Sequence, residues 1–459
     1  MAIQSEIEQA LERRQDEFLD TFYRLLRQPS ISTQGVGVEE CAQLVKEVLE
    51  EHDIAGRIMA TDGLPVVYGE RWAGDDANTL LIYGHYDVQP PEPYEAWLSP
   101  PFEPTVRDGR VYARGAGDNK GQFLAHILAV KLLVDTGRLP RVNLKFLLEG
   151  EEESSSPNLR GFVEKNLDLL KADLMYAADG PQHPSGRPTV FFGMRGNMKM
   201  ELEATGANRD LHSGNFGGPV PNPVWKLVDL LGTMRFPDGR ATIEGFYERV
   251  QPATEFEREV MGRVPFDEQA VKADLGISEF AGPKELSYYE KLMFQPTLNV
   301  TGFASGYAGK GAKSAIPSKA VLKLETRLVV DQDPEEIYAK VRRHVQRYAP
   351  DITIRKLAGT RPSKTSLDLP VSRMVIEAVA DALDVDPVVL PMLGGSSPNY
   401  LFTNVLKVPA VWSAYAQPDE NNHSPNENLA LEAFFNGIRA SVSVIQRFAA
   451  MPREQLAGR

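Results

Sequence analysis

The sequence predicts an α/β protein whose mostly parallel central sheet is interrupted by a second, ferredoxin-like domain. Short apolar runs alternate with helical patterns up to about residue 193, which is typical of βαβ units. Strands with alternating apolar and polar residues follow, as in a sheet with one solvent-exposed face. The first pattern resumes after about Pro362. We therefore expect a discontinuous first domain made of residues 1–193 and 363–459, with residues 194–362 inserted.

The size and composition of the chain are those of a folded multidomain protein. It has 459 residues, of which 42% are hydrophobic and 25% are charged. The formal net charge of -13 disfavours binding to a phosphate backbone. Residues 1–18 lack the apolar core of a signal peptide, and no later run is long enough to span a bilayer. We expect a cytoplasmic protein that binds neither nucleic acid nor membrane.

The first domain is predicted to begin with helices and to continue as a sheet. Apolar residues at helical spacing predict one helix through residues 7–25, ended by Pro29, and another over 38–52. A third helix is predicted over 122–134. The predicted strands are the apolar runs at 66–68, 79–83, 142–148 and 174–178. A helix between two such strands makes a βαβ unit, so we expect parallel neighbours covered by helices on both faces.

The inserted domain begins where the periodicity changes. Met198, Met200 and Leu202 alternate with Lys199 and Glu201, which predicts a half-buried strand. The elements that follow are a helix at 223–231, strands near Leu298 and at 321–330, a helix at 333–344 and a strand at 352–355. This β, α, β, β, α, β order is that of a ferredoxin-like domain. Residues 234–288 show no clear pattern.

The single cysteine limits the chemistry of any metal site. Because Cys41 is the only one, a disulfide within the chain and a thiolate-rich zinc site are both excluded. Cys41 lies among apolar residues at helical spacing, which favours a packing role over a nucleophilic one. Any metal ion must therefore be bound by His, Asp and Glu side chains.

Polar residues follow the predicted strands at the positions where the strands end. His85 and Asp87 follow one strand, the acidic run 149–153 follows another, and Asp179 follows a third. Asp118 lies in a glycine-rich turn just before the predicted helix. Open α/β sheets bind ligands beyond the carboxyl ends of their strands, so we expect these side chains to form one cluster. An acidic run is more often a solvated loop, but directly after a buried strand its charges need compensating cations.

The histidines divide into structural ones and candidates. His52, His126 and His344 lie in helical patterns and are expected to be structural, whereas His183 is undecided. His212 and His423 lie in polar turns and remain candidates for a site. For His85 and Asp87 considered alone, a metal ligand with a carboxylate partner and a solvated turn are equally compatible with the spacing.

Six motifs together resemble one known family. They are Gly-His-Tyr-Asp-Val-Gln-Pro at 84–90, Arg-Gly-Ala-Gly-Asp-Asn-Lys-Gly at 114–121, Glu-Gly-Glu-Glu-Glu-Ser at 149–154, Asp179, Leu-His-Ser-Gly at 211–214 and Asn-His-Ser at 422–424. They are similar to those of the co-catalytic metallopeptidases that include cytosolic nonspecific dipeptidase, carnosinase, carboxypeptidase G, aminoacylase and the acetylornithine and succinyl-diaminopimelate deacylases. The resemblance implies a zinc-peptidase-like catalytic domain and an inserted lid and dimerisation domain.

The resemblance implies two divalent metal ions per subunit. Asp118 would bridge them, His85 and Asp179 would complete one site, and Glu153 and His423 would complete the other. The family suggests zinc. An all-oxygen and nitrogen ligand set also suits manganese or cobalt.

The resemblance also implies roles for residues around the metals. Glu152 would be the general base that takes a proton from the attacking water and delivers it to the leaving nitrogen, and Asp87 would orient His85. His212 would reach the active site of a partner subunit to polarise the scissile carbonyl, which requires a homodimer. The residues implied as contacts for the substrate carboxylate are Arg327, Gly395, Ser396 and Ser314.

These motifs favour a dipeptidase. The 84–90 and 211–214 motifs most resemble the branch of nonspecific dipeptidase and carnosinase, so we expect hydrolysis of an amide bond in small peptides. An N-acyl amino acid deacylase of the acetylornithine or succinyl-diaminopimelate type is the alternative within the class. A non-catalytic metal-binding scaffold is the alternative from another class, and Glu152 argues against it because a binding site needs no base. Ser155 stands where the family usually has glycine, so we expect this loop to differ in its backbone.

Overall fold

An eight-stranded sheet forms the centre of the computed structural model of this chain, which describes residues 2–456. In spatial order its strands are Ala55–Met59, Val66–Arg71, Asn143–Glu149, Thr79–His85, Leu174–Ala177, Ala410–Ala414, Thr189–Phe191 and Val388–Leu390. Every residue of Thr79–His85 is buried. Its alternate side chains enter two separate apolar clusters, with Leu80 and Ile82 in one and Leu81 and Tyr83 in the other. Both faces of the sheet are therefore covered.

The sheet is mixed, with a block of parallel strands at its centre. Thr79–His85 pairs in parallel with Asn143–Glu149 on one side and with Leu174–Ala177 on the other. Ala410–Ala414 continues this parallel block, and antiparallel strands flank it. The prediction of a mostly parallel central sheet is confirmed. The carboxyl ends of three adjacent strands consequently meet at one edge.

Helices cover this sheet on its two faces. They are Ala2–Arg13, Gln15–Arg27, Val38–Glu51, Gly121–Asp135, Leu159–Lys165, Leu167–Leu170, Pro370–Leu383, Leu431–Ala450 and Arg453–Leu456. Gly121–Asp135 is buried on nearly all sides, because it lies between the sheet and Leu431–Ala450. The single helix predicted through residues 7–25 is wrong: the chain leaves helical geometry at Arg14 (φ -110°, ψ 8°), although neither Gly nor Pro marks the break.

The second sheet has four strands, all antiparallel, in the order Thr297–Ser305, Lys319–Leu328, Gly196–Thr205 and Thr353–Thr360. Met198, Met200 and Leu202 are buried in one apolar cluster with residues of the helices Pro223–Met234 and Pro334–Tyr348. This order of elements and strands is ferredoxin-like, as predicted. The remaining strands are Thr105–Arg107, Arg110–Tyr112, Gly193–Met194, Leu211–His212, Ala315–Ile316, Ser363–Lys364 and Asn428–Ala430.

Two connections join the four-stranded sheet to the rest of the chain. They pair with each other, because Met194 lies opposite Ser363 and Gly193 opposite Lys364 in a short antiparallel ladder. The domain limits at residues 193 and 362 stay predictions. The segment 234–288 contains the helices Glu255–Gly262 and Glu268–Leu275, and Tyr288–Phe294 begins at its end. Within residues 2–456, no helix combines the length and apolar character that crossing a membrane requires.

Candidate metal centre and active site

Two parallel strands and one turn bring together the first set of metal-ligand side chains. His85 is the last residue of Thr79–His85, Asp179 follows the neighbouring strand Leu174–Ala177, and Asp118 precedes the helix Gly121–Asp135. His85 Nε2 lies 3.1 Å from Asp118 Oδ1 and 3.9 Å from Asp179 Oδ2. Asp179 is held by its other oxygen, which accepts the Gly180 amide at 2.6 Å. One oxygen of Asp179 is thus left facing His85.

The second set shares Asp118 with the first. His423 Nε2 lies 3.0 Å from Asp118 Oδ2 and 3.2 Å from Glu153 Oε2. The two oxygens of Asp118 therefore face two different histidines, which is how a carboxylate bridges two ions. In each set the ligand atoms lie within 4.8 Å of one another. All the side chains named from the sequence as metal ligands meet here.

The electrostatics of the cluster show a shortage of positive charge. Burial, reinforced by nearby Asp118, raises the pKa of Asp179 to about 7. Hydrogen bonds to Asp118 and Glu153 raise the pKa of His423 to about 10. Burial works to lower the pKa of His85, but contacts with Asp118 and Asp87 outweigh it and raise that pKa well above its ordinary value. The raised pKa values mean that these side chains bind protons readily. The protons compensate the negative charge of the carboxylates, as bound cations would.

These residues fit a pair of divalent cations. The donors are imidazole nitrogens and carboxylate oxygens, the set that zinc, manganese and cobalt accept. Asp118 offers one oxygen to each set, and the surrounding carboxylates carry more negative charge than the histidines neutralise. A cation in each set would relieve this repulsion.

Glu152 lies beside the cluster and lines the adjoining cavity. It begins a short turn after Asn143–Glu149, and burial raises the pKa of its carboxyl well above the ordinary value. A carboxyl with a raised pKa holds a proton more readily, as a group that moves protons near neutral pH must. Its neighbour Glu153 points to His423 and accepts a hydrogen bond from Gln89 Nε2 at 2.9 Å.

Asp87 contacts both His85 and the acidic turn. Its backbone oxygen lies 3.1 Å from His85 Nδ1, and its Oδ1 lies 3.4 Å from the same nitrogen. The carboxylate accepts the backbone amides of Glu152 at 3.1 Å and Glu153 at 3.0 Å. Asp87 thus contacts the ring that it was predicted to orient, and it also holds the turn that carries the predicted base. Ser155, in the same turn, has φ 72°, a left-handed conformation that glycine adopts most readily.

A cavity of about 490 Å³ lies next to this cluster. Its walls include Glu152, Glu153 and His423 on one side and Glu335, Lys356 and Thr360 of the ferredoxin-like domain on the other. Ser396 also lines it and accepts a hydrogen bond at 3.0 Å from Arg327 Nη1. Gly395 has open space at its Cα, since an added Cβ would meet nothing closer than 3.9 Å. The cavity is therefore a candidate substrate site.

His212 and Ser314 lie away from this cluster. His212 is the exposed last residue of the short strand Leu211–His212, and its Nδ1 accepts the Gly214 amide at 3.1 Å. The Ser314 carbonyl accepts the Ser213 amide at 3.0 Å, so both predicted contacts belong to one region of the ferredoxin-like domain. Neither lines the cavity.

Other residues at the site were not predicted from the sequence. Asn119 receives the His85 amide on Oδ1 at 3.4 Å and donates from Nδ2 to the Ala178 carbonyl at 2.7 Å. Glu427 accepts backbone amides of the turn that carries Asp118. The available signals were weak: Asn119 adjoins Asp118, and Glu427 follows His423 by four residues.

The comparison with protein families identifies the chain. The description "Peptidase family M20/M25/M40" matches residues 81–447. The chain belongs to this family. It is therefore a hydrolase of the metallopeptidase class, and the resemblance inferred from its motifs is confirmed. Every ligand residue of the cluster lies inside the matched segment.

Individual relatives narrow the comparison. The chain is 28% identical over 471 residues to the Cys-Gly metallodipeptidase dug1 of Schizosaccharomyces pombe, covering 96% of this chain and 98% of that protein. It is 32% identical over 284 residues to the Beta-Ala-His dipeptidase of Homo sapiens, a match that covers 61% of this chain and 56% of that one. A solved M20 family metallo-carboxypeptidase from Sulfolobus solfataricus superposes with a TM-score of 0.87 at 36% identity, covering 95% of this chain and all of the other.

Proposed function

We propose that this M20-family hydrolase is a dipeptidase whose two divalent metal ions are bound by His85 and Asp179 on one side and Glu153 and His423 on the other. Asp118 would offer one carboxylate oxygen to each ion. The observation that carries this proposal is the shared carboxylate: Asp118 Oδ1 lies 3.1 Å from His85 Nε2, while Oδ2 lies 3.0 Å from His423 Nε2. We propose zinc as the metal. Manganese and cobalt accept the same ligands.

The reaction that this site supports is hydrolysis of an amide. Two divalent ions supply Lewis-acid polarisation of the scissile carbonyl and lower the pKa of a water molecule. Glu152 takes a proton from the attacking water and delivers it to the leaving nitrogen, for which its raised pKa suits it. Asp87 keeps Glu152 in place, because its carboxylate accepts a hydrogen bond from the Glu152 backbone amide at 3.1 Å. Arg327 and Ser396 offer donors for the substrate's carboxylate.

Dipeptides are the substrates favoured by the size of the site and by the relatives. A cavity of about 490 Å³ is of the size that encloses a small molecule rather than an extended chain. Two relatives are named as dipeptidases, and one of them matches nearly the full length of this chain. The domain limits at 193 and 362 and the cytoplasmic location stay predictions.

A carboxypeptidase is the second candidate, favoured by the 36% identity to a metallo-carboxypeptidase. An N-acyl amino acid deacylase is the third. A panel of four substrate types separates them: free dipeptides, amino-blocked dipeptides, N-acetyl amino acids and N-succinyl amino acids. Released amino acids are measured with zinc-loaded and metal-free protein. A dipeptidase cleaves the free dipeptides most efficiently and loses this activity when the metal is removed.

The same panel has clear contrary outcomes. Preferential cleavage of amino-blocked dipeptides would make the protein a carboxypeptidase, and exclusive turnover of acyl amino acids would make it a deacylase. Manganese and cobalt are tested in place of zinc at equal occupancy. Zinc would be the wrong metal if manganese or cobalt gave higher turnover and if that same metal were found in protein purified without added metal.

We also propose that the active form is a homodimer that joins through the ferredoxin-like domain. Thr297–Ser305 is the edge strand of the four-stranded sheet, and Val300 and Phe303 on it are 51% and 42% exposed. Trp225 of the neighbouring helix is 63% exposed. An apolar edge strand of this kind is usually covered by another chain. His212, which contacts no part of the described cluster, could then serve the partner's site.

A further inference from the structure

Glu427 is a buried carboxylate whose two oxygens are both fully engaged. It is 0% exposed. Its Oε1 accepts the backbone amides of Gly117 and Asp118, each at 3.0 Å. Its Oε2 accepts the Gly115 amide at 3.0 Å and Arg114 Nη1 at 2.7 Å. One side chain therefore binds three amides of the turn that carries Asp118.

The partners of Glu427 define what the residue must be. All of them are donors, so each contact needs a carboxylate oxygen as acceptor. A carboxamide would place its own N–H group opposite at least one of these donors, where no hydrogen bond can form. Arg114 supplies the compensating charge and also donates to the Pro90 carbonyl at 3.2 Å. Charge-assisted bonds of this kind hold geometry more firmly than neutral ones.

Glu427 also belongs to the segment that carries His423. Asn426, beside it, donates to the Ala96 carbonyl at 2.9 Å and accepts the Leu98 amide at 2.8 Å, which fixes the segment to a second loop. Three residues before Asn426, the backbone of His423 has φ 54°, a conformation that the surroundings must maintain. The carboxylate of Glu427 thus connects the chain segment of His423 with the turn of Asp118.

We propose that Glu427 is a positioning residue for the metal position formed by Asp118, Glu153 and His423. It sets the separation of Asp118 Oδ2 and His423 Nε2, which is 3.0 Å, and thereby the affinity of that position for its metal. The inference rests on the proposed dinuclear centre. Glu427 acts through Asp118 and His423 and needs no contact with the substrate.

The other metal position is held by a different residue. Asn119 connects the His85 amide to the carbonyl of Ala178, next to Asp179. Neither contact involves Glu427. Asp118 is shared by both positions, so loss of the Glu427 carboxylate should affect both of them. The position with His423 should weaken more, because Glu427 lies in the same chain segment as His423 and because Asn119 still supports the position with His85.

The test compares two variants that break the same ion pair. Glu427→Gln removes the carboxylate. Arg114→Met removes the charge partner but leaves the three hydrogen bonds that backbone amides donate to Glu427. Metal-free protein is titrated with Zn²⁺ in competition with a chromophoric chelator. We expect two sites in the unmodified chain. In E427Q we expect one site to lose about 10- to 100-fold in affinity and the other site to lose less. R114M should show a smaller loss at that site. Circular dichroism and melting of the metal-free proteins report whether each variant folds.

The outcomes separate this inference from the metal centre on which it rests. If the unmodified chain binds no zinc, both are overturned. Two sites of unchanged affinity in E427Q, or equal losses in E427Q and R114M, would overturn the role of Glu427 alone. Should E427Q fail to fold, Glu427→Asp provides the same comparison, since it keeps the charge but withdraws the carboxylate by one methylene. A larger loss at one site is again expected, and an even loss at both sites contradicts the proposal.

Discussion

Three neighbouring carboxyl groups at this site have different surroundings, which supports the different roles that we propose for them. Glu153 points to His423 and is held by Gln89. Glu152 has no such ligand contact, and burial raises its pKa well above the ordinary value. Glu151 points elsewhere, accepting the Leu64 amide and two hydrogen bonds from Asn158 Nδ2. We therefore propose that Glu151 is a structural acid, Glu152 the base and Glu153 a metal ligand.

Replacement of Glu152 by Gln should separate chemistry from metal binding. We expect Glu152→Gln to lower kcat by about 10²- to 10⁴-fold, since general base catalysis contributes an effect of that size. Two metal ions per chain should remain, because Glu152 belongs to neither ligand set. Dipeptide hydrolysis and metal content are measured on the same sample. Glu151→Gln is the matched control and should keep most activity. Equal activity of E152Q and the unmodified chain would remove Glu152 from the mechanism.

Metal binding should release protons at neutral pH. In the metal-free protein the pKa of His423 is about 10 and that of His85 is also raised, so both rings are protonated at pH 7. A metal needs their nitrogen lone pairs, and both protons must leave. Asp179, with a pKa of about 7, releases part of a third. Affinity for Zn²⁺ should therefore rise with pH and continue to rise above pH 7.

This proton release is measured by calorimetric titration with Zn²⁺ in buffers of different ionisation enthalpy. The observed heat should depend on the buffer at pH 7 and depend on it less near pH 10, where the rings are closer to neutral. Heat that is independent of the buffer at pH 7 would show that the histidines are already deprotonated without metal.

The local sequence predicted the candidate metal ligands better than it predicted the residues that hold those ligands in position. His85 and Asp179 follow apolar runs directly, so strand ends alone indicated where they meet. Glu427 contacts residues about 310 positions away in the chain, and no local pattern reports such a contact. His126 was expected to be structural. It is buried against Ser441 Oγ at 2.9 Å, and burial lowers its pKa to about 3.

At the scale of elements, some unpredicted structure did have a local signal. The apolar residues of segment 234–288 show no clear periodicity. The helix Glu255–Gly262 nevertheless begins with a capping box, in which Thr254 and Glu257 exchange hydrogen bonds. Ser287 and Glu290 do the same for Tyr288–Phe294. These helices have only eight and seven residues, so their caps indicate them more clearly than their apolar spacing does. The break at Arg14 had no such mark, because no side chain there caps the second helix.

The packing of the strand Thr79–His85 on the helix Gly121–Asp135 sets the position of His85. A Cβ at Gly84 would lie 2.6 Å from the Cβ of Phe123, an atom fixed to the helix backbone. We expect Gly84→Ala to lower the free energy of unfolding by about 1–3 kcal/mol and to weaken Zn²⁺ binding, because strand and helix must separate. Urea unfolding and zinc titration measure the two effects.

Gly232→Ala is the control for this packing effect. Gly232 lies inside the helix Pro223–Met234 with nothing within 4 Å of its added Cβ. The same substitution should there stabilise the protein by about 0.5–1 kcal/mol through helix propensity. If both variants changed stability in the same direction, close packing at Gly84 would not be the cause.

At the scale of the whole molecule, we propose that one active site is divided between two chains, because His212 does not line the cavity of its own chain. Within one chain His212 is the exposed last residue of a short strand of the ferredoxin-like domain and does not line the cavity beside Glu152. If a second copy supplies it, two defective chains can complement each other. A dimer of one His212→Ala chain and one Glu152→Gln chain has one complete site, because the chain with Glu152 receives His212 from its partner.

We therefore expect that each variant alone is nearly inactive and that their mixture recovers activity. Random pairing of equal amounts puts half of the dimers in the mixed form, and each mixed dimer has one working site in two, so recovery should reach about a quarter of the unmodified activity. The variants are mixed under conditions that let subunits exchange, and dipeptide hydrolysis is followed with time. Val300→Lys, placed in both chains, should abolish recovery by charging the edge strand. Recovery unaffected by V300K would place the interface elsewhere, and absence of recovery despite verified exchange would mean that His212 serves its own chain.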